Sequence, residues 1–289
     1  MTTSAPRRPA LEVDWGARLR ISRGRIGWGD VAALGVFGGL IVVALLASHI
    51  APHSPFESIG APFSAPSSTA WMGTDGGGRD VLSRVIFGLQ SSLAGAVIVV
   101  FSGVVIGGTV GVVAGILGGL PDQLLMRITD VFLALPGPLL AIALVVAIGP
   151  SWEHTLLGVA IVWWPLYARV LRGEARALNA RPHMEAARLG ALPRYRLVAR
   201  HLLPGLIPST LVLASLDIGG LVLTLAGLSV LGLGAPAPRP ELGAMAAQGT
   251  PYLMTAWWVS VFPGLGVLVL ALAANLAGDA VRDLTATGR

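Results

Sequence analysis

The chain has 289 residues, of which 54% are hydrophobic and 12% are charged, and its formal net charge at pH 7 is +5. Soluble domains usually carry about 25% charged residues, so the composition argues against a soluble domain and favours a protein that crosses a membrane several times. The absence of cysteine excludes disulfide bonds and thiolate metal sites.

Six apolar segments are long enough to cross a bilayer as helices. A span needs about 20 residues, because the hydrocarbon layer is about 30 Å thick and a helix rises about 1.5 Å per residue. In chain order the segments cover residues 31–50, 92–118, 129–149, 155–172, 209–234 and 256–277. The sequence therefore predicts an all-α membrane protein with six transmembrane helices.

Proline, glycine and aromatic residues predict where these spans are irregular. LPGP (135–138), inside the third segment, predicts a break or kink, because proline removes a backbone donor and clashes with the preceding turn. Glycines are candidate breaks in the second and fifth segments. The fourth segment is short and ends near WWPLY (163–167), and Trp and Tyr favour the membrane interface.

The arginines are distributed unevenly. All 20 basic residues are arginine, and 17 of them lie in the two tails and in the loops after the second and fourth segments. The positive-inside rule therefore predicts that both termini are cytoplasmic. Nucleic-acid binding is not expected, because the arginines flank apolar segments. The first segment is too long for the apolar region of a cleaved signal peptide.

This topology divides the chain into tails, spans and one large cytoplasmic loop. Residues 1–30 form a cytoplasmic tail, 31–50 the first helix and 51–91 an extracytoplasmic segment. Residues 92–284 form a core of five helices with a cytoplasmic loop at about 173–205, and 285–289 form the C-terminal tail.

Two short helices are expected in the cytoplasmic loop. Pro182 suits a first helical turn, and Glu185 complements the positive end of the helix dipole. Gly190 is expected to end this helix in the left-handed conformation. Pro193 starts a second helix that runs to Pro204. The chemistry of these residues is compatible with two alternatives. The pair can form interfacial helices of a positively charged loop, or it can form a surface that docks into a groove.

Residue order in this loop and in three other stretches resembles one family. Glu185-Ala186-Ala187, Gly190 and Leu203-Pro204 are similar to the EAA loop of ABC-importer permeases. The stretches GTDGGGRDVLSRVIFGLQSSL (73–93), LSVLGLGAPAPRPELGAM (228–245) and AWWVSVFPGLGVLVLALAANLAGDAVRDL (256–284) resemble those of the C-type permease of dipeptide, oligopeptide and nickel importers. The resemblance covers about residues 31–284.

The chain departs from the family pattern at several points. Pro182-His183-Met184 replaces the usual Asp-Tyr-Val, Val230 stands where Phe is common, and Leu242 stands where Trp precedes Gly243. A Leu-Asp-Pro ending is absent after Asp283. These departures leave the Glu, Ala, Ala and Gly of the loop intact.

The resemblance implies a type I ABC-importer permease fold in the cytoplasmic (inner) membrane of a bacterial-type cell. It implies that Glu185, Ala186, Ala187, Gly190, Leu203 and Pro204 couple the chain to an ATPase. The implied partners are a homologous second permease subunit, two ABC ATPase subunits and an extracytoplasmic solute-binding protein, with membrane lipid around them. The leading solute is a peptide; nickel chelates, opines and glutathione are alternatives.

The chain is expected to be a transport subunit and not an enzyme. A P-loop uses a lysine to reach the terminal phosphates, and the sequence contains no lysine. ATP and Mg²⁺ would therefore bind the partner ATPase subunits, and no cofactor is expected in this chain. No arrangement of Ser, His and Asp or of paired carboxylates suggests catalysis.

Asp217 is the one acid well inside a predicted span, and such a residue is a candidate functional site. It is expected to line the translocation path, the alternative being a structural role in helix packing. Asp75, Arg79, Asp80 and Arg84 are interpreted as salt bridges that fold the outer segment or as docking contacts, and the folding role is favoured. His49, His53 and Glu57 are weak candidates for metal ligands, and interface residues are favoured there.

Two other classes of protein remain as rivals. A gradient-driven secondary transporter usually needs several intramembrane ionisable residues and an inverted repeat, whereas here only Asp217 qualifies. A membrane enzyme or scaffold would need a polar catalytic cluster or would lack the EAA loop, and the sequence shows the reverse.

Overall fold

The computed structural model describes residues 27–190 and 193–287. Its regular elements are helices, with two isolated bridges between Ser58 and Arg79 and between Thr74 and Asp80. The helices are α1 (Trp28–Leu45), α2 (Ala47–Ile50), α3 (Val81–Leu117), α4 (Gly119–Leu133), α5 (Gly137–Ile148), α6 (Trp152–Asn179), α7 (Pro182–Leu189), α8 (Arg194–Leu197), α9 (Leu203–Val230), α10 (Leu242–Gly249) and α11 (Trp258–Thr287). A π-helical segment, Val198–Leu202, joins α8 to α9, and a 3₁₀ turn, Thr250–Tyr252, follows α10.

Five helices are long and apolar enough to cross a membrane: α1, α3, α6, the continuous Tyr195–Val230 and α11. The helices α4 and α5 pass the same test only as a pair, bent by 84° at the break between them, which is the geometry of a broken sixth span or of a re-entrant loop. That break falls at residues 134–136, so the kink predicted from the LPGP stretch is confirmed. Residues 1–26, 191–192 and 288–289, which belong to the predicted tails and loop, lie outside the described residues.

Two helices extend beyond the predicted segments, and the two candidate glycine breaks do not occur in α3 and α9. The helix α3 begins at Val81 and not near 92, because the Asp80 side chain caps it by accepting a hydrogen bond from Ser83 N at 2.9 Å. The helix α6 runs from Trp152 through Pro165 to Asn179, so the aromatic residues do not end it. Glycines break neither α3 nor α9. Backbone groups in lipid must be satisfied within the helix, which favours continuity over the local preference of glycine.

The centre of the fold is the packing of α3 against α6. A glycine at every fourth position of α3 faces α6, and this stripe consists of Gly103, Gly107, Gly111 and Gly115. A Cβ added at Gly107 would lie 2.2 Å from Trp164 O, and one added at Gly111 would lie 2.4 Å from Ala168 O. The two backbones therefore touch along the stripe, as in other membrane helix pairs built on small residues.

The outer segment folds onto the ends of α3 and α10 through buried polar side chains. Arg84, which is 2% exposed, donates to Pro55 O at 2.8 Å and to Pro238 O at 3.0 Å, and its Nε lies 3.2 Å from Asp75. Glu241 is 1% exposed and caps α10 by accepting from Gly243 N and Ala244 N. Its carboxylate also accepts from the Ser92 hydroxyl at 2.9 Å. These bonds hold α10 against α3.

Candidate functional site

The helix α7 presents one face to the surroundings and is anchored by the buried side chain of Met184. Glu185 and Ala186 are exposed, and Leu189 is 86% exposed. Met184 is fully buried in a cluster with Ala175 and Leu178 of α6. The remaining buried members of this cluster come from α3, α6, α8, the π segment and α9: Val112, Leu171, Leu197, Leu202 and Leu206. The exposed face of α7 is thus attached to the ends of three long helices.

The helix start at Pro182 is confirmed, but two details of the loop were predicted wrongly. Gly190 does not adopt a left-handed φ, and a Cβ added there would meet only Ala187 O and Ala186 O, at 3.5 and 3.6 Å. Its amide donates to Ala186 O at 3.0 Å, so it continues the helical hydrogen bonding and any small residue fits. The second helix also does not end at Pro204, because the π segment carries it into α9.

Leu203 and Pro204 therefore lie in the first turn of α9 and not on the exposed face of α7. Both are exposed, and Leu203 is 46% exposed. Pro204 removes one backbone donor from the continuous helix Tyr195–Val230, directly after the π segment. The candidate coupling residues thus form two groups: Glu185, Ala186, Ala187 and Gly190 on or beside α7, and Leu203 and Pro204 at the base of α9.

Asp217 is a residue of α9, and its side chain accepts two hydrogen bonds from α6. Its Oδ2 accepts one from the indole N–H of Trp163 and one from the hydroxyl of Tyr167, the latter at 2.9 Å. Tyr167 is fully buried, and Asp217 is half-buried. The carboxylate therefore has a structural role as a link between the two helices. A role of Asp217 in the translocation path would depend on the part of its side chain that stays accessible to water.

Sequence reasoning missed the two partners of Asp217, because it assigned Trp163 and Tyr167 to the membrane interface. Their spacing is the available signal: they stand four residues apart, so they lie on the same face of one helix. On the far side of Asp217, Gly219 packs so closely on Asn275 of α11 that an added Cβ would lie 2.6 Å from its side chain. Asp217 thus sits where α6, α9 and α11 converge.

Another buried carboxylate, that of Asp122 in α4, was not singled out from the sequence. It is 4% exposed and accepts hydrogen bonds from both the Nε and the Nη2 of Arg172, the latter at 2.7 Å. Arg176 lies 3.7 Å from the same carboxylate. Arg172 and Arg176 were counted as residues of a cytoplasmic loop, whereas both lie in the last turns of α6.

The polar residues considered as metal ligands are dispersed. His49 Nδ1 lies 3.1 Å from the hydroxyl of Ser48, and His53 Nδ1 lies 3.6 Å from Asp80. Over residues 27–190 and 193–287, no group of three or more His, Asp or Glu side chains is arranged to hold a metal ion.

Comparison with solved structures identifies the fold. Over 71% of this chain and 97% of the other, the structure matches a chain of the inward-facing MetNI methionine ABC transporter with a TM-score of 0.56 and 21% sequence identity. At that identity the match establishes the fold alone.

Comparison with known sequences identifies the family. The chain is 40% identical over 247 residues to the probable D,D-dipeptide transport system permease protein DdpC of Escherichia coli, covering 85% of this chain and 83% of the relative. It is 34% identical to the dipeptide transport system permease protein DppC of Alkalihalophilus pseudofirmus, over 88% and 84% of the two chains. It is 39% identical to the glutathione transport system permease protein GsiD of Pectobacterium atrosepticum, over 84% and 82%.

A family model described as the inner membrane component of binding-protein-dependent transport systems matches residues 107–286. The matched region contains α4 to α9, the exposed helix α7 and the Asp217 site. The chain belongs to the family of binding-protein-dependent transport system inner membrane components, the permease subunits of ABC importers.

Proposed function

We propose that this chain is one of two homologous permease subunits of an ATP-driven importer of peptides, and that it forms half of the translocation path. The relatives named as dipeptide permeases, at 34% and 40% identity over most of the chain, support the substrate class. The assembly also contains two ATPase subunits and an extracytoplasmic solute-binding protein. Both termini lie in the cytoplasm, and the chain resides in the cytoplasmic membrane.

The exposed face of α7 is the docking surface for the ATPase subunit. The observation that carries this proposal is the contrast in exposure between the two sides of α7. A helix with Leu189 86% exposed and Met184 fully buried is held firmly on one side and free on the other. Because Met184 belongs to the same buried cluster as Ala175, Leu178 and Leu206, displacement of α7 moves the adjoining ends of α6 and α9 with it. Such a linked movement is what alternating access requires.

Asp217 lines the path at the level where α6 and α9 are hydrogen-bonded to each other. An ionisable group inside a membrane protein usually faces a hydrated cavity or a partner. Here the indole of Trp163 and the hydroxyl of Tyr167 hold the carboxylate in position through Oδ2. The part of the side chain that remains accessible is available to water or to the polar groups of a passing peptide.

The test is to disrupt the exposed face of α7 and measure coupling. We expect Glu185→Lys and Ala186→Trp to insert into the membrane at the wild-type level, because both side chains are exposed. We expect them to lose the ATPase that co-purifies with the tagged chain from native membranes, or to lower peptide uptake per ATP hydrolysed. Lysine at 185 also reverses the favourable interaction with the helix dipole.

The control is Met254→Lys, at a residue that is 99% exposed and lies beyond α10 at the opposite end of the fold. Its ATPase content and uptake should equal those of the wild type. Wild-type uptake per ATP in both α7 variants would contradict the docking role. Uptake that follows an ion gradient and ignores ATP would favour a secondary transporter.

Glutathione is the second candidate solute, because a relative named as a glutathione permease is 39% identical over 84% of this chain. Competition for uptake between a radiolabelled dipeptide and unlabelled glutathione, in vesicles supplied with the binding protein, separates the two.

A further inference from the structure

The helix α4 lies between two breaks in the chain. On one side, Gly118 and Gly119 have φ angles of +60° and +58°, which side-chain-bearing residues rarely adopt. On the other side, the 84° bend between α4 and α5 separates the two helix axes. Helices bounded in this way can change orientation by rotating about the flanking residues.

Polar side chains attach α4 to the rest of the protein. Its buried residues are Asp122 and Thr129, and the Thr129 hydroxyl bonds to Leu125 O in the same helix. Four of its large apolar side chains, Leu120, Leu124, Ile128 and Val131, are each more than half exposed, whereas Phe132 packs edge-on against Trp164 of α6 with the ring centroids 5.5 Å apart. Asp122 is therefore the buried polar contact that fixes α4 to α6, beside the aromatic contact of Phe132.

Asp122 binds the end of α6 that leads into the proposed docking helix. Arg172 contacts both carboxylate oxygens, and Arg176 approaches the second one at 3.7 Å. Ala175 and Leu178, in the same turns of α6, pack on Met184 of α7. One short stretch of α6 thus holds α4 through charge and α7 through apolar contact.

We infer that Asp122 is a positioning residue that transmits the movement of α7, through Arg172 and Arg176, to α4 and the bend that follows it. The inference rests on the proposed docking of an ATPase at α7. When α7 moves, the last turns of α6 move with Met184, and the buried ion pair makes α4 follow. Without that pair, α4 stays behind while the ATPase still binds and turns over.

A second ion pair between the same two helices provides a matched control. Arg169 of α6 contacts Asp130 of α4, and their side chains are 54% and 55% exposed. Exposed pairs are weakly coupled because water screens both charges. The side chain of Asp122 is 6% exposed, so its pair is screened much less.

The experiment compares Asp122→Asn with Asp130→Asn in the assembled transporter reconstituted in vesicles. We expect Asp122→Asn to retain the co-purifying ATPase and its ATP hydrolysis, and to lower peptide uptake per ATP by about tenfold, a size typical of residues in coupling networks. Asp130→Asn should stay within about twofold of the wild type, since exposed pairs contribute little. The double exchange Asp122→Arg with Arg172→Asp should recover part of the lost uptake.

Three results would overturn the inference. Unchanged uptake per ATP in Asp122→Asn would do so, as would an equal loss in both variants, or loss of the ATPase from the Asp122→Asn complex. If the Asp122→Asn chain is not recovered from membranes, Arg172→Gln removes the charge that contacts both carboxylate oxygens, and full coupling in that variant counts against the inference. A wild-type complex whose uptake ignores ATP would instead refute the proposed function.

Discussion

Replacing Gly107 by alanine should separate α3 from α6, because no space exists for a Cβ at that position. The added carbon would lie 2.2 Å from Trp164 O, 2.7 Å from Tyr167 Cβ and 2.9 Å from Ala168 N. Two of these atoms belong to the backbone, so no change of rotamer relieves the overlap. The two helices must move apart locally by about 1 Å to restore ordinary van der Waals contact.

The size of the stability loss depends on which atoms the added Cβ of Gly107→Ala would contact. Overpacking a well-packed interior costs about 1–3 kcal/mol, and a clash against backbone belongs at the upper end of that range. A loss of about 3 kcal/mol corresponds to roughly a hundredfold change in the equilibrium between folded and unfolded protein. The displacement also shifts Tyr167, which holds Asp217, so uptake should fall in the protein that remains folded.

Gly108→Ala is the matched control, one residue further along the same helix. A Cβ there would lie 3.4 Å from Leu171 Cδ1, the end of a flexible side chain. The assay is the temperature at which half of the detergent-solubilised complex loses its monodisperse elution peak. Equal midpoints for Gly107→Ala and Gly108→Ala would refute the argument that the backbones of α3 and α6 are in contact at Gly107.

Two further predictions concern Asp217 and topology. Asp217→Asn keeps an oxygen acceptor for Trp163 and Tyr167, so assembly should persist while peptide uptake changes; Asp217→Ala leaves both donors unpaired and should lower thermal stability by about 1–3 kcal/mol. Normal uptake and normal assembly in Asp217→Asn would remove this residue from the path. Single cysteines at Ser67 and Met254 should react with an impermeant thiol reagent added outside intact cells, whereas one at Leu189 should not. The chain has no native cysteine, and labelling of Leu189→Cys from outside would invert the proposed topology.

The sequence predicts the parts of this fold that depend on local composition. Apolar runs of the right length indicate the spans, and two prolines within four residues indicate the break between α4 and α5. The start of α7 at Pro182 is local as well. Each of these features depends on residues that are near neighbours in the chain.

The features that were missed depend on residues far apart in sequence. Arg172 and Asp122 stand 50 residues apart, and so do Tyr167 and Asp217. Arginines in α6 were therefore interpreted as loop residues, because a charge in a span is expected to be excluded unless its partner is known. The left-handed φ expected at Gly190 failed for another reason: glycine permits that conformation but does not require it.

The unbroken passage from α8 through the π segment into α9 has a consequence for how related sequences can differ in length. Each residue of a helix turns the chain by about 100° and advances it by about 1.5 Å. A single residue inserted or deleted between Leu203 and Asp217 would therefore turn the carboxylate away from Trp163 and Tyr167, with no loop between them to absorb the change. Relatives that keep this aromatic pair and the aspartate should align over that interval without gaps. Changes of length should be confined to the segments outside it, such as residues 51–80 between α2 and α3.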